Sequence, residues 1–227
     1  MSRKLLHAAG ELLVTLGLLV FLYFIYSAWF TNVTATAKQA ELSQEITRQF
    51  EVRDAKPLVQ SESKIEQVAA QPVTPIGLLY IPRLQEKVWG LPIVQGVGHH
   101  ELSLGVGHYP STELPGELGN FAIAGHRATN GEPFAYFERL RAGDLVFVRT
   151  QDGWFEYQLV HNKKIQESET WVLSDQPKGL ELEPNSALIT LTTCDPRWNS
   201  YQRWAWWGVL TNVYPAAADP LGSEAGN

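Results

Sequence analysis

Cys194 is the only cysteine in the chain, and it closes the run Leu188-Ile189-Thr190-Leu191-Thr192-Thr193-Cys194, whose β-branched and apolar residues predict a strand. A nucleophile at a strand end has its backbone fixed on a rigid element while its side chain reaches a cleft. One thiol cannot form an internal disulfide, so the residue is either a small buried hydrophobe or a reactive group. A thiol attacks a carbonyl well only as thiolate, which requires a base or a stabilising cation nearby.

Six histidines compete for the role of base. His7 precedes a long apolar segment and falls on the wrong side of it. His161, in Val160-His161-Asn162-Lys163, reads as a surface residue. His99, His100 and His108 crowd into a glycine-rich stretch, but a His pair followed eight residues later by a third matches no recognised metal spacing. His126 ends the segment Phe121-Ala122-Ile123-Ala124-Gly125-His126, an apolar strand that breaks at a glycine. It is the candidate base, the alternative being a hydrogen-bonded histidine at a strand end. Two arginines follow the cysteine. Arg197 lies in the loop 195–200 and is expected to be solvated. Arg203 opens the stretch Trp204-Ala205-Trp206-Trp207 as a rigidly placed donor. A guanidinium is no base at relevant pH, but it can hold a developing oxyanion. Either arginine could equally be an ordinary surface charge.

These groups need elements to position them. From residue 76 onward the texture is short β-rich runs: 77–81, 88–94, 120–124, 145–149, 155–164, 187–192 and 204–213. Turn residues such as Leu114-Pro115-Gly116, Asn130-Gly131 and Asp152-Gly153 separate them. A short helix fits 133–140, with Phe134, Phe137 and Leu140 facing inward. Many short strands without alternating long helices make a mainly β fold, a barrel or sandwich rather than a doubly wound sheet.

Ahead of this region, residues 12–30 are almost uninterrupted apolar and have roughly the 20 residues needed to cross a bilayer. Arg3 and Lys4 precede the segment, and Tyr23, Tyr26 and Trp29 gather near its far end, so residues 1–11 are expected in the cytoplasm and the rest outside. Ala35-Thr36-Ala37 resembles a signal-peptide cleavage site, but the apolar stretch exceeds a usual signal core, which favours an uncleaved anchor. Residues 31–75 read as a spacer, helical over 31–50 with Leu42, Ile46 and Phe50 at helical spacing. No second apolar span is expected after Gly208, and residues 216–227 read as a flexible tail.

The chain has 227 residues and a formal net charge of −6, with no basic stripe, so nucleic-acid binding is not expected. Five of its eight tryptophans, Trp171, Trp198, Trp204, Trp206 and Trp207, fall close together.

Ala124-Gly125-His126, Thr190-Leu191-Thr192-Thr193-Cys194 and an arginine nine residues later, in that order, resemble the sortases over the whole of residues 76–215. Gly107-His108-Tyr109-Pro110, Leu114-Pro115-Gly116, Gly119-Asn120-Phe121, Gly125-His126-Arg127 and the threonine before Thr193-Cys194 resemble the class E housekeeping sortases of high-GC Gram-positive bacteria. The resemblance implies an eight-stranded β-barrel and a thiol transpeptidase at the plasma membrane. Cys194, His126 and Arg203 would be catalytic, with the Thr193 backbone helping at the oxyanion and Tyr109 lining a pocket for a signal of Leu-Ala-x-Thr-Gly type. It implies secreted proteins bearing that signal as donors, and lipid II or a peptidoglycan amine as acceptor. No cofactor is expected. Ca²⁺ tunes some sortases, but no acidic cluster here makes a persuasive site. The sequence departs from the family pattern in the bulky Trp204-Ala205-Trp206-Trp207. It also lacks a lid with an Asp-Pro-aromatic motif, which argues against a pilus-polymerising role. Two other readings compete: a peptidoglycan cross-linking cysteine transpeptidase, whose cysteine motif does not fit, and an inactive Trp-rich binding module.

Overall fold

Alternation along one strand explains the architecture. In β7 (Ala187–Asp195), Ile189 and Leu191 are fully buried in the central core. Phe121 and Ile123 of β4 (Gly119–Ala124) and Trp206 of β8 (Gln202–Pro215) join them there. Each such side chain removed from water contributes about 1.5–3 kcal/mol. The intervening residues Thr190 and Thr192 face the other way, as a two-residue period requires. Covered by neighbouring segments, both satisfy their hydroxyls: Thr190 donates to Asn120 Oδ1 at 2.7 Å and Thr192 to the Ile123 carbonyl at 3.1 Å.

The computed structural model describes residues 3–52, 73–180, 183 and 185–222. The remaining strands are β1 (Pro75–Tyr80), β2 (Trp89–Gln95), β3 (Val106–His108), β5 (Leu145–Arg149) and β6 (Gly153–Gln166). Among the described residues, eight strands close a barrel in the order β1–β2–β3–β4–β7–β8–β6–β5. The β2–β3 and β4–β7 pairs are parallel and the others antiparallel. Closure leaves no exposed edge for another chain to pair with.

The seven strands expected from the sequence are all present, with ends shifted by a few residues. The eighth, β3, has three residues and is too short to show a periodic pattern. The glycine-rich stretch before it holds a short helix, α3 (His99–Leu104), bounded by Gly98 and Gly105. The helix expected over 133–140 is instead a series of turns ending in a single 3₁₀ turn, Phe137–Arg139. Its entry is not helical because Glu132 has a positive φ of 46°. Phe134, Phe137 and Leu140 are nevertheless buried as expected.

Two helices precede the barrel. α1 (Arg3–Ile25) has no buried residue and is long and apolar enough to cross a membrane. It continues through a π-helical turn, Tyr26–Phe30, into α2 (Thr31–Val52). The first part of the expected spacer is not held apart from the barrel. Leu42 and Ile46 of α2 are buried against Leu78, Val94 and Leu104, with Phe50 packed beside them. That apolar stripe at i, i+4 and i+8 requires a partner, and the β1–β2 face supplies it. The later part, 53–72, and the end of the tail, 223–227, lie outside the described residues.

The crowded tryptophans have two destinations. Trp206 lies in the barrel core and Trp204 packs against it, whereas Trp207 sits on the outer face under the 3₁₀ turn Thr170–Leu173. Trp207 stacks on Trp171 there at 5.9 Å. Their bulk is therefore structural, while Trp198 is 61% exposed.

Candidate active site

Strand register brings the site together. β4 and β7 run parallel with Ala124 opposite Thr192. His126 follows two residues after Ala124, just past the end of β4, and Cys194 two residues after Thr192 on β7. β7 and β8 run antiparallel with Cys194 opposite Arg203, and directly opposed residues share a face. β7 and β8 thus present a thiol and a guanidinium side by side, and the segment leaving β4 brings an imidazole to the same groove. The three line this groove of about 420 Å³, together with Tyr109, Thr192 and Val172.

The strand ends are held by polar contacts. The Gly125 amide donates to the Thr192 carbonyl at 3.0 Å, and the Thr193 hydroxyl donates to the Gly125 carbonyl at 2.7 Å. Thr193 is thus buried with its side chain tying the histidine strand to the cysteine strand. Tyr109 lies in the groove with its hydroxyl 3.1 Å from Thr192 Oγ1. Gly125 allows the close approach, since a Cβ there would lie 2.7 Å from the buried Phe134 ring.

His126 is partly buried. Burial pushes its imidazole below the ordinary histidine range, and His99, whose ring centroid is 6.4 Å away, pushes the same way. Its Nε2 lies 3.0 Å from Asn130 Nδ2. Arg203 donates through Nη1 to the carbonyls of Ser200 and Gln202 at 2.9 and 3.0 Å, and through Nη2 to Glu167 at 2.7 Å. The guanidinium carries five N–H donors, and Nε–H takes no part in those three bonds.

Behind the groove lies a network that sequence reasoning missed. Arg127 and Asp195, next in sequence to His126 and Cys194, form an ion pair with side chains only 8% and 7% exposed. Arg127 also reaches Glu138 at 3.1 Å and lies over the Trp204 ring, and Lys164 bonds Asp195 at 2.8 Å. Burial alone would push Asp195 up, but its bonds to Lys164 and Arg127 outweigh this and hold it below the usual carboxylate range. Adjacency to the two reactive residues was the available signal. Arg197 is not simply solvated: its Nη2 lies 2.5 Å from Glu132, which draws the loop after the cysteine toward the loop after the histidine. Two other histidines are apart from this chemistry. His108 is buried between Gln95 and the Glu113 carbonyl, each at 2.9 Å, and His161 is exposed on Trp207. Among the described residues no three His, Cys, Asp or Glu side chains come together as metal ligands.

A sortase domain model matches residues 79–211, which is more than half of the chain. The chain belongs to the sortase family. Sortases are cysteine transpeptidases, and the closed eight-stranded barrel found here is that of the family. The chain is 33% identical to sortase SrtE1 of Streptomyces coelicolor over 217 residues, 92% of this chain and 58% of that protein. It is 31% identical to sortase SrtE2 of the same organism, over 92% of this chain and 83% of that one. It therefore spans somewhat over half the length of SrtE1. The structure is similar to that of sortase E from Streptomyces avermitilis, with a TM-score of 0.59 and 35% identity, over 65% of this chain and 95% of that one. It is also similar to S. coelicolor sortase E1 solved with a tripeptide in its active site, with a TM-score of 0.60 and 34% identity, over 66% of this chain and 97% of that one.

Proposed function

We propose that this sortase is anchored in the plasma membrane by α1, with its barrel outside. In this reading it cleaves a sorting signal of Leu-Ala-x-Thr-Gly type between Thr and Gly, then transfers the released protein to a cell-wall amine. The observation that carries this reading is that His126, Cys194 and Arg203 line one groove, with Cys194 and Arg203 directly paired on β7 and β8.

The Cys194 thiolate attacks the threonine carbonyl carbon, and the resulting oxyanion is held by Arg203 with help from the Thr193 backbone. The carbon–nitrogen bond to glycine breaks as His126 gives its proton to the leaving amine. A thioester on Cys194 remains. An amine of lipid II or peptidoglycan then attacks that thioester and gives its proton to His126, and the thiolate departs. Ile165, Val172 and Leu173 make one wall of the groove apolar, which disfavours ordered water and so favours transfer over hydrolysis.

Tyr109 is the candidate for sensing the second signal position, because it reaches into the groove while its hydroxyl is held by Thr192. Anchoring draws support from the unburied apolar length of α1 and from Ala35-Thr36-Ala37, which lies inside α2 rather than in an extended, cleavable segment.

The test is a peptide-library transfer assay with the full chain in vesicles, comparing Ala with Pro at the second signal position. Transfer by the parent chain and none by Cys194→Ala is expected, with Ala preferred and the preference weakened in Tyr109→Ala. Turnover retained by Cys194→Ala would end the assignment.

A further inference from the structure

His126 sits in a loop that the barrel alone does not hold. Asn130, Gly131 and Glu132 all have positive φ, at 52°, 81° and 46°. Asparagine and glycine tolerate this region, but glutamate does not do so readily. Such a run persists only where its surroundings over-determine it. Part of that hold comes from α2. Gln39, 6% exposed, donates through Nε2 to the Asn130 carbonyl at 2.9 Å and to the Ser103 carbonyl at 3.2 Å. Asn32 Oδ1 accepts from the Gly131 amide at 3.1 Å. At the far end of the run, Glu132 is paired with Lys87 at 3.0 Å and with Arg197.

Two details suggest that this contact is specific. Gln39 lies on a helix whose apolar docking runs through Leu42 and Ile46, and its buried amide offsets the cost of burial by bonding two carbonyls outside that helix. Gly131 has no side chain, and a Cβ there would lie 2.5 Å from Gln39 Oε1. A side chain at 131 would therefore push the Gln39 amide from its present place.

We propose that α2, the helix following the apolar segment, is a working part of the active site: through Gln39 it fixes Asn130, and through Asn130 it orients the His126 imidazole. This rests on the reading of His126 as the group that exchanges protons during transfer. Gln39 and Asn130 are positioning residues and touch no reacting atom. Asn130 Nδ2 lies 3.0 Å from His126 Nε2. An amide can donate through its nitrogen to the neutral ring or accept through its oxygen from the charged ring. Asn130 can thus hold the ring plane in both protonation states, which leaves Nδ1 to exchange the proton with substrate. The other groups around the imidazole are His99 from α3, Cys194 from β7 and Arg203 from β8. None of these lies on α2.

The experiment uses the full chain in vesicles with a Leu-Ala-x-Thr-Gly peptide and a small amine acceptor, alongside NMR titration of the His126 ring. Gln39→Leu preserves the apolar docking of α2 but takes a donor from the Ser103 and Asn130 carbonyls, so it should lower kcat/KM about tenfold, mainly through kcat, with a small fall in melting temperature. Asn130→Gly keeps the positive φ and should do the same from the loop side, so the test survives if either variant misfolds. Asn130→Asp places a carboxylate against Nε2 and should move the His126 midpoint upward, a shift that needs the contact but no turnover. Parent-like kcat in both Gln39→Leu and Asn130→Gly, or an unmoved midpoint in Asn130→Asp, overturns the proposal. His126→Gln separates the two readings. Retained activity there defeats the catalytic role of His126, while the titration still judges the contact with Asn130.

Discussion

Cys194 and Arg203 are direct cross-strand partners on β7 and β8, yet the Arg203 guanidinium is also tied to Glu167, 2.7 Å away at the groove rim. If Arg203 serves the oxyanion, Arg203→Ala should lose about 2–4 kcal/mol of transition-state stabilisation, read as kcat/KM. Arg203→Lys should recover little, because an ammonium lacks the planar fork. Glu167 is 71% exposed, so Glu167→Gln should leave the melting temperature unchanged. A parent-like kcat/KM in Arg203→Ala would remove the arginine from the mechanism.

Gly125 separates β4 from His126 where the Phe134 ring closes in. Gly125→Ala should drive the added methyl into that ring, 2.7 Å from its nearest carbon, and displace His126. Activity should fall about a hundredfold, while an overpacked core loses only about 1–3 kcal/mol of stability. Peptide transfer measured beside thermal unfolding distinguishes the two effects. Equal and small losses in both would show that the histidine had not moved.

The buried Arg127–Asp195 pair joins the ends of the histidine and cysteine strands. Removing Arg127 leaves Asp195 with Lys164 as partner, so Arg127→Leu should destabilise the barrel in denaturant unfolding by less than the about 3–5 kcal/mol of a wholly unpaired buried charge. The double variant Arg127→Leu/Asp195→Leu should be the more stable of the two. Asp195 titrates below the usual carboxylate range, so its contribution is complete above that range and is lost as pH falls through its own lower pKa. In Asp195→Asn that acid-dependent loss should shrink.

His126 has the same sign, at a higher pH. Its folded pKa lies below the unfolded value, so the unfolded chain binds the extra proton first. Stability should therefore fall as pH drops from the ordinary histidine range through the depressed pKa of His126. His99→Gln removes a like-charged neighbour and should raise the His126 midpoint in an NMR titration, narrowing that window. An unchanged midpoint would mean that burial acts alone.

Much of this was legible in the residues. The lone cysteine at a strand end, the Ala-Gly-His segment and the arginine nine residues on pointed through their ordered resemblance to the sortases to three candidate groups, while strand alternation and turn chemistry, being local properties, gave the elements around them. The same local rules found seven strands, and missed β3 because three residues carry no period. They misjudged 133–140 as a helix, because the apolar spacing was right while Glu132 is held at positive φ by partners distant in sequence. The bulky Trp204-Ala205-Trp206-Trp207 departs from the family pattern. Alternation sends Trp204 and Trp206 inward and Trp207 under an outer turn.

By itself the chain order determined which groups could react, which segment could enter a bilayer and that the body would be β. Tertiary structure alone decided three things: the meeting of His126, Cys194 and Arg203 in one groove, the Arg127–Asp195 pair behind them, and the docking of α2 beside the His126 loop. The physical reason is range. Side-chain period and turn preference are set by neighbours a few residues apart. Register between β4 and β7, and the burial of Gln39 against Asn130, join residues 68 and 91 positions apart and exist only once the barrel has closed.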